Sequence, residues 1–540
     1  MKKKIILFFL IFGILVVYFL TLNHEKNSSE DTTIDLDSNT EEVNWSTYET
    51  YELELTQETT ITKQGIYHLT GTIKDESVII NTSGNVKLIL DNVSITNSDG
   101  PAIYIEEAKL TYIELKENTT NTIIDGGSNT DLDGAIFSKD DLWIGGTGTL
   151  KVTSNNQDGI VSKGDLVIES GTIIIDSEDD GIRGKDSIII KDGNITITSN
   201  GDGIKTTNEE DTSKGNILIE KGTFDIKAEL DGIQATANLQ IDDGEFKIKT
   251  GDGSSTLSTT SMWGKTNSGT TDSMKDLKAT LNIQINGGSF NLNTEDDSIH
   301  SNQNITITNG TFEINSGDDG IHADNIVTIK DGTIDIQKSY EGIEGTQINI
   351  SNGNIKIVSS DDGINIGGGN DSSSMNRPGE NHVSSDSEYK LTISGGTIYV
   401  NASGDGLDSN GNIYMSGGTV NVDGPTNDGN GALDYDGEFV ITGGTLICVG
   451  SSGMAMSPSN NSTQNSALIY LSSTSSGEIK IGDITYTPSK NYSSILISSD
   501  QLEIGETYSV QIKGNTTTTF KQNSVVTTSG NSFNNPGMKR

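Results

Sequence analysis

The sequence predicts an all-β protein, a single-stranded right-handed parallel β-helix with coils of about 22 residues. Three observations carry this. An acidic residue followed by glycine, and usually by Ile, recurs at a near-constant interval. Short strands of period two fill the space between recurrences. No segment of the unit shows the 3.6-residue period of a helix.

At the N-terminus, Lys2, Lys3 and Lys4 precede an apolar stretch from Ile5 to Leu22. Eighteen residues make a helix of ~27 Å, close to the thickness of a bilayer core. The lysines favour a cytoplasmic N-terminus and export of the remainder of the chain. No Ala-x-Ala-like cleavage site and no lipobox cysteine is present. Residues 1–22 are therefore expected to be a signal anchor or signal peptide. The protein would stand on the extracellular face of the cell membrane or be secreted, touching membrane only through this helix. Residues 23–46 are polar and acidic and read as a flexible stalk.

Residues 47–465 carry the β-helix. The opening stretch, 65–105, reads as less regular first coils. From Asp133 onward the second members of the acidic pairs are Gly134, Gly159, Gly181, Gly203, Gly232, Gly253, Ser298, Gly320, Gly342, Gly363, Gly406 and Gly429. The preceding residue is acidic each time, with Glu341 the one glutamate. Intervals of 21 to 25 dominate, and the longer ones are this period plus insertions. Midway between pairs stand phrases such as "SGTIIIDS", "DGNITITS" and "KGTFDIKA", a glycine turn followed by an alternating strand. A third strand precedes that turn ("DLVIE", "SIIIK", "NILIE"). A propeller blade needs about 40 residues, so stacked coils are the economical solution. Inward Ile and Val form a continuous stack that one coil alone cannot bury. A rod needs protected ends. Residues 466–513, with strands of a different rhythm, are expected to form a β cap. The Thr/Asn/Ser-rich tail 514–540 is expected to be disordered.

Composition narrows the partners. Lys and Arg number 35 against 76 Asp and Glu, a net charge of -41. Such a chain repels nucleic acid and anionic lipid. It suits cations and neutral or cation-bridged polymers. The one cysteine, Cys448, excludes an internal disulfide and reads as a buried strand residue. No HExxH, P-loop, GxSxG or Cys/His pairing is present.

Stacking turns the acidic pairs into a ladder with a rung every ~4.8 Å. Ca²⁺ takes roughly 6–8 oxygens, so carboxylates on adjacent rungs can share one ion. A column of like charges is otherwise costly. The candidate ligands are the doubled pairs Asp179/Asp180, Asp296/Asp297, Asp318/Asp319 and Asp361/Asp362, completed by Asp202, Glu341 and Asp405. The competing interpretation is that each acid simply caps its turn by accepting backbone N–H groups. The residue after Ile should face outward beside the ladder: Val161, Arg183, Lys205, Gln234, His300, His322, Glu344, Asn365 and, after Leu407, Asp408. That strip is either a sugar-facing groove or a solvated face. His300 and His322, one coil apart, are candidates for sugar contact, ligation or acid–base work. Insertions near 254–277 and 366–388 are expected to leave the same side of the rod. Trp263 in the first is a candidate for stacking on a sugar ring.

The stretches "GIYHLTGTI", "VKLILDNVSITNSDGPAIYI", "ENTTNTIIDG" and "DGAIFSKDDLWIGGTGTLKV", followed by "DGI", appear in order. In these the chain resembles the bacterial extracellular carbohydrate-binding, polysaccharide-lyase-like β-helix proteins, over about residues 60–510. The resemblance implies a right-handed parallel β-helix, bound calcium and binding to cell-wall or acidic polysaccharide of the cellulose or pectin kind. It does not imply catalysis. The expected membrane anchor and the lack of an appended enzyme or dockerin module depart from the family pattern. Two functions of different class stand beside each other: a calcium-dependent, surface-anchored polysaccharide-binding protein acting as a monomer, and a pectate-lyase-type enzyme. The lyase would need a Lys or Arg beside Ca²⁺ to remove the proton next to the uronate carboxyl, and Arg183 and Lys205 are the basic residues in place. An adhesin or structural rod is the third alternative.

Overall fold

A computed structural model of the chain describes Leu36 and residues 43–126, 132–211, 213–254, 272–367 and 389–530. The apolar segment 1–22 and Trp263 lie outside the described residues. Among the described residues no helix is long and apolar enough to cross a membrane. The one helical element there is a single 3₁₀ turn, Trp45–Thr47.

The rest is strand. Ile182–Gly184, Ser187–Ile190 and Asn194–Ser199 succeed one another around one coil, and each pairs in parallel with its counterpart in the next. Ile182 lies opposite Ile204, Ser187 opposite Asn216 and Asn194 opposite Thr223. The result is a solenoid of three parallel sheets. Its inward side chains form one aliphatic core running from Leu55 to Leu446 and beyond. Identical residues stack where the pattern allows. Phe224, Phe246, Phe290 and Phe312 lie face over face, with ring centroids 4.6, 4.7 and 4.6 Å apart. That is the strand spacing itself, so the coil sets the stacking distance. Phe290→Leu breaks two of these contacts and is expected to cost about 1–3 kcal/mol, measured as a lower denaturation midpoint at unchanged m-value. An unchanged midpoint would show that the rings contribute no more than aliphatic bulk.

The ladder glycines need a different reason from the turn conformation expected of them. Gly181 is not in the left-handed region; a Cβ there would fall 2.5 Å from Ile197 Cγ2 and 2.6 Å from the Gly203 carbonyl oxygen. Close approach between coils selects glycine here. The positive φ belongs to the other turn, as at Gly193, with φ of 147° before the strand Asn194–Ser199.

Two connections also differ from expectation. The first large insertion lies between Glu245–Thr250 and Leu277–Ala279, ahead of its ladder strand. The second lies between Ile364–Ile366 and Lys390–Ile393, after its ladder strand. They leave the coil at different corners rather than from one side.

At the C-terminal end the pairing turns antiparallel. Tyr492–Ser498 lies between Thr445–Gly450 and Ser466–Ser475, antiparallel to both. A four-stranded antiparallel sheet completes this end. Tyr492–Ser498 covers the open edge of Thr445–Gly450, as a cap should. The cap does not stop at residue 513. Asn515–Lys521 pairs with Thr507–Ile512, and Val526–Ser529 pairs with Ser466–Ser475. The tail expected to be disordered is thus structured to Ser529, because its threonines are β-branched and Phe520 and Gln522 are buried. Asp423, fully buried, joins cap to coils: the Tyr399 and Tyr486 hydroxyls and the Ser489 N–H all donate to its carboxylate.

Candidate cation-binding ladder

Hydrogen bonds identify the true rungs. At each regular rung one carboxylate oxygen accepts from the backbone N–H of the next rung's acid. Asp158 Oδ1 accepts from Asp180 at 3.0 Å, Asp180 Oδ1 from Asp202 at 2.9 Å, and Asp202 Oδ1 from Asp231 at 2.8 Å. Further along, Asp297 Oδ1 accepts from Asp319 at 2.9 Å and Asp319 Oδ1 from Glu341 at 3.2 Å. Turn capping therefore occupies Oδ1. Oδ2 is left for charge chemistry, beside the residue that comes after Ile.

Register removes two expected members. Leu277 stands opposite Ile233 and Ile299, so the rung between them is Lys275–Asp276–Leu277. Asp252 and Gly253 belong to the turn after the preceding strand. Leu407 bridges to Leu433, so the last rung is Gly431–Ala432–Leu433 and not Asp428–Gly429. At the front, Gly134 pairs with Asp158, which places Asp133 one residue ahead of the ladder.

The first half of the ladder carries its own cations. Arg183 reaches Asp133 at 2.5 Å and Asp158 at 2.7 Å. Lys205 holds Asp202 at 2.6 Å, and Lys278 holds Asp231 at 2.8 Å. Lys275, standing in an acid's place and buried, holds Asp296 at 3.0 Å and Asp297 at 2.8 Å. Burial works against the charge on Arg183 and on Lys205, but the paired carboxylates outweigh it and raise both pKa values. Neither is poised to take a proton from a substrate.

His300 and His322 do not line an exposed strip. They are 3% and 2% exposed, so the expected sugar-facing role is not theirs. Their ring nitrogens meet carboxylates of their own and adjacent rungs, Asp297, Asp319 and Glu344. Burial lowers the pKa of His322, and Asp319, Asp324 and Asp297 raise it by more.

Beyond Glu344 the pattern changes. Asn365 and Asp408 replace the basic residues, and Asp362, Asp405 and Asp408 bring oxygens within 4.8 Å of one another. Among the described residues no Lys, Arg or His forms an ion pair with these three. Burial and neighbouring carboxylates push Asp405 up to about 6 and Asp408 up to about 7, and hold Asp362 well above the ordinary range. Gly404 lets the backbone approach the pair below it closely: a Cβ there would lie 2.3 Å from Oδ1 of both Asp361 and Asp362. An all-oxygen, anionic donor set of this kind fits a hard cation such as Ca²⁺.

The other predicted ligands fall into separate groups. Asp179 and Asp180 meet Asp158, and Asp296 and Asp297 meet Asp318. Each of these groups already has a cation on one member, Arg183 or Lys275. Asp202 is taken by Lys205, and Glu341 accepts from Asn365 at 2.8 Å. Asp408 was not among the predicted ligands. Its signal was present, since it comes directly after the core residue Leu407 in the strip.

A family model for carbohydrate-binding domain-containing proteins matches residues 56–320. Over that span the chain is similar to this family. One family protein, from Acetivibrio thermocellus, is 33% identical over 128 residues, or 22% of this chain and 45% of that protein. The chain thus spans under half the length of that relative. A solved structure, a polysaccharide lyase-like protein from C. thermocellum in a gadolinium derivative, is 31% identical. The alignment covers 37% of this chain and 91% of the other, with a TM-score of 0.36. The carbohydrate-binding family span contains the cation-paired half of the ladder, and Asp362, Asp405 and Asp408 lie C-terminal to it.

Proposed function

We propose that this protein binds acidic polysaccharide through Ca²⁺ held on its ladder, with Asp361, Asp362, Asp405 and Asp408 as the principal ligands. The observation that carries this is the cluster of Asp362, Asp405 and Asp408, which has no cationic partner among the described residues. The family match over residues 56–320 supports carbohydrate as the partner class. Charge supports the bridge. A chain of net charge -41 repels a polyuronate, and a divalent ion shared between protein and polymer carboxylates removes that repulsion. Carried past the membrane by the apolar segment 1–22, as a monomer on the cell surface or secreted, the rod would meet wall polymers along its side.

Binding without elimination is the better form of this function, because Arg183 and Lys205 are committed to carboxylates. The test is a pull-down of the full chain on insoluble polygalacturonate, with Ca²⁺ or with chelator, beside absorbance of unsaturated product. Retention in Ca²⁺ that chelator reverses is expected, with retention lost in Asp408→Asn and no product formed. Retention that survives chelator would overturn the calcium bridge, and product formation would overturn the binding-only form.

A further inference from the structure

We propose that His300, His322, Asp297, Asp319 and Glu344 form a buried site for a first-row divalent transition metal of the Zn²⁺ class, chemically distinct from the all-oxygen cluster at Asp362, Asp405 and Asp408. Register assembles it. The strands Ile299–Ser301, Ile321–Ile329 and Ile343–Ile350 stack His300, His322 and Glu344 on consecutive coils. All five side chains belong to buried residues. Asp297 Oδ1 and Asp319 Oδ1 are occupied by the backbone of the next rung, so the Oδ2 atoms are the ones that converge.

The distances match a coordination shell. His322 Nδ1 lies 3.2 Å from Asp319 Oδ2, 3.4 Å from Glu344 Oε2 and 3.9 Å from Asp297 Oδ2. His300 Nδ1 lies 3.0 Å from Asp297 Oδ2, and the two rings are 4.9 Å apart. Ligands bound at about 2.0–2.2 Å in a tetrahedron stand roughly 3.3–3.6 Å from one another. A single N–H on Nδ1 cannot satisfy three carboxylates around it, whereas an ion between them can.

The far ring nitrogens point the same way. His300 Nε2 lies 3.1 Å from Asn302 Oδ1 and His322 Nε2 lies 3.5 Å from Asp324 Oδ1, each partner two residues along the chain. An oxygen on the far nitrogen sets the tautomer of a ligating imidazole and leaves the other nitrogen for metal. Both rings are thereby turned with Nδ1 toward the carboxylates. Lys275 Nζ already lies 2.8 Å from the same Asp297 Oδ2 that His300 approaches, which places the ion on the Asp319 and Glu344 side with His322 as its central ligand. Imidazole nitrogen with carboxylate selects Zn²⁺, Co²⁺ or Mn²⁺ over Ca²⁺.

The test is Co²⁺ titration of the full chain after chelator stripping. One Co²⁺ per chain with visible ligand-field absorption is expected, displaced by Zn²⁺ and retained in a large excess of Ca²⁺. His322→Gln and His300→Gln should each weaken or abolish it, and Asp408→Asn should leave it unchanged. X-ray absorption at the zinc edge of the wild-type chain needs no variant and should show imidazole in the shell. Absence of a cobalt band in the wild type, an identical band in His322→Gln, or a zinc shell without imidazole would each overturn the site.

Discussion

Stripped of divalent cations, the chain should be more stable at pH 5 than at pH 8, and Asp408→Asn should remove one part of a difference to which Asp158, Asp202 and Glu344 also contribute. Asp408 sits up at about 7 and Asp405 at about 6, against an ordinary value of 3.8. A carboxyl whose folded pKa is raised holds its proton more tightly in the native state than in the unfolded chain. Its contribution is intact below the unfolded pKa and is lost as pH climbs from about 4 to the folded value. At about 1.4 kcal/mol per unit, Asp408 alone corresponds to an upper bound of ~4 kcal/mol lost by pH 7. Ca²⁺ should act in the opposite sense, since it takes only the ionised carboxylates. Saturation at about a hundred times Kd contributes about 2.7 kcal/mol. Thermal melts at pH 5 and pH 8, with chelator and with Ca²⁺, read both effects. Parallel pH profiles for wild type and Asp408→Asn would show that the cluster does not carry the strain.

Arg183→Ala is the second large expected effect, a loss of about 3–5 kcal/mol. The guanidinium is mostly buried and joins the Asp158 rung to Asp133, which stands just ahead of the ladder. Removing it leaves buried Asp158 without its cation, while Asp133 keeps only Lys163 at 3.5 Å. Arg183→Lys should recover part of the loss, because an ammonium keeps the charge that Nη2 brings to both acids but sits on a shorter stem. Denaturant melts measure it. Full stability in Arg183→Ala would instead suit a residue kept for chemistry, and would reopen elimination.

Much of the fold was legible because its cause is local and repeated. "SGTIIIDS" and "DGNITITS" alternate with period two, and the 22-residue spacing of Ile182 and Ile204 is the spacing at which their strands pair. The C-terminal tail was less legible. A threonine-rich strand such as Asn515–Lys521 has little apolar pattern of its own and becomes a strand by pairing with Thr507–Ile512. The ladder was half legible. Its acids were visible as a column, but Asp252 and Asp428 imitate the motif without occupying a rung, and Lys275–Asp276 occupies one without the motif.

By itself, then, the sequence determined the stacked-strand architecture, the inward Ile and Val, and a line of acids along one corner. Tertiary structure decided which acids share space and which are already neutralised. Arg183, Lys205, Lys278 and Lys275 cancel one half of the column, Asp362, Asp405 and Asp408 are left uncancelled, and His300 and His322 are turned into a buried carboxylate nest. The reason is physical. Periodicity records which way a side chain faces, while charge pairing depends on neighbours one coil away, and insertions of unequal length hide which residues those are.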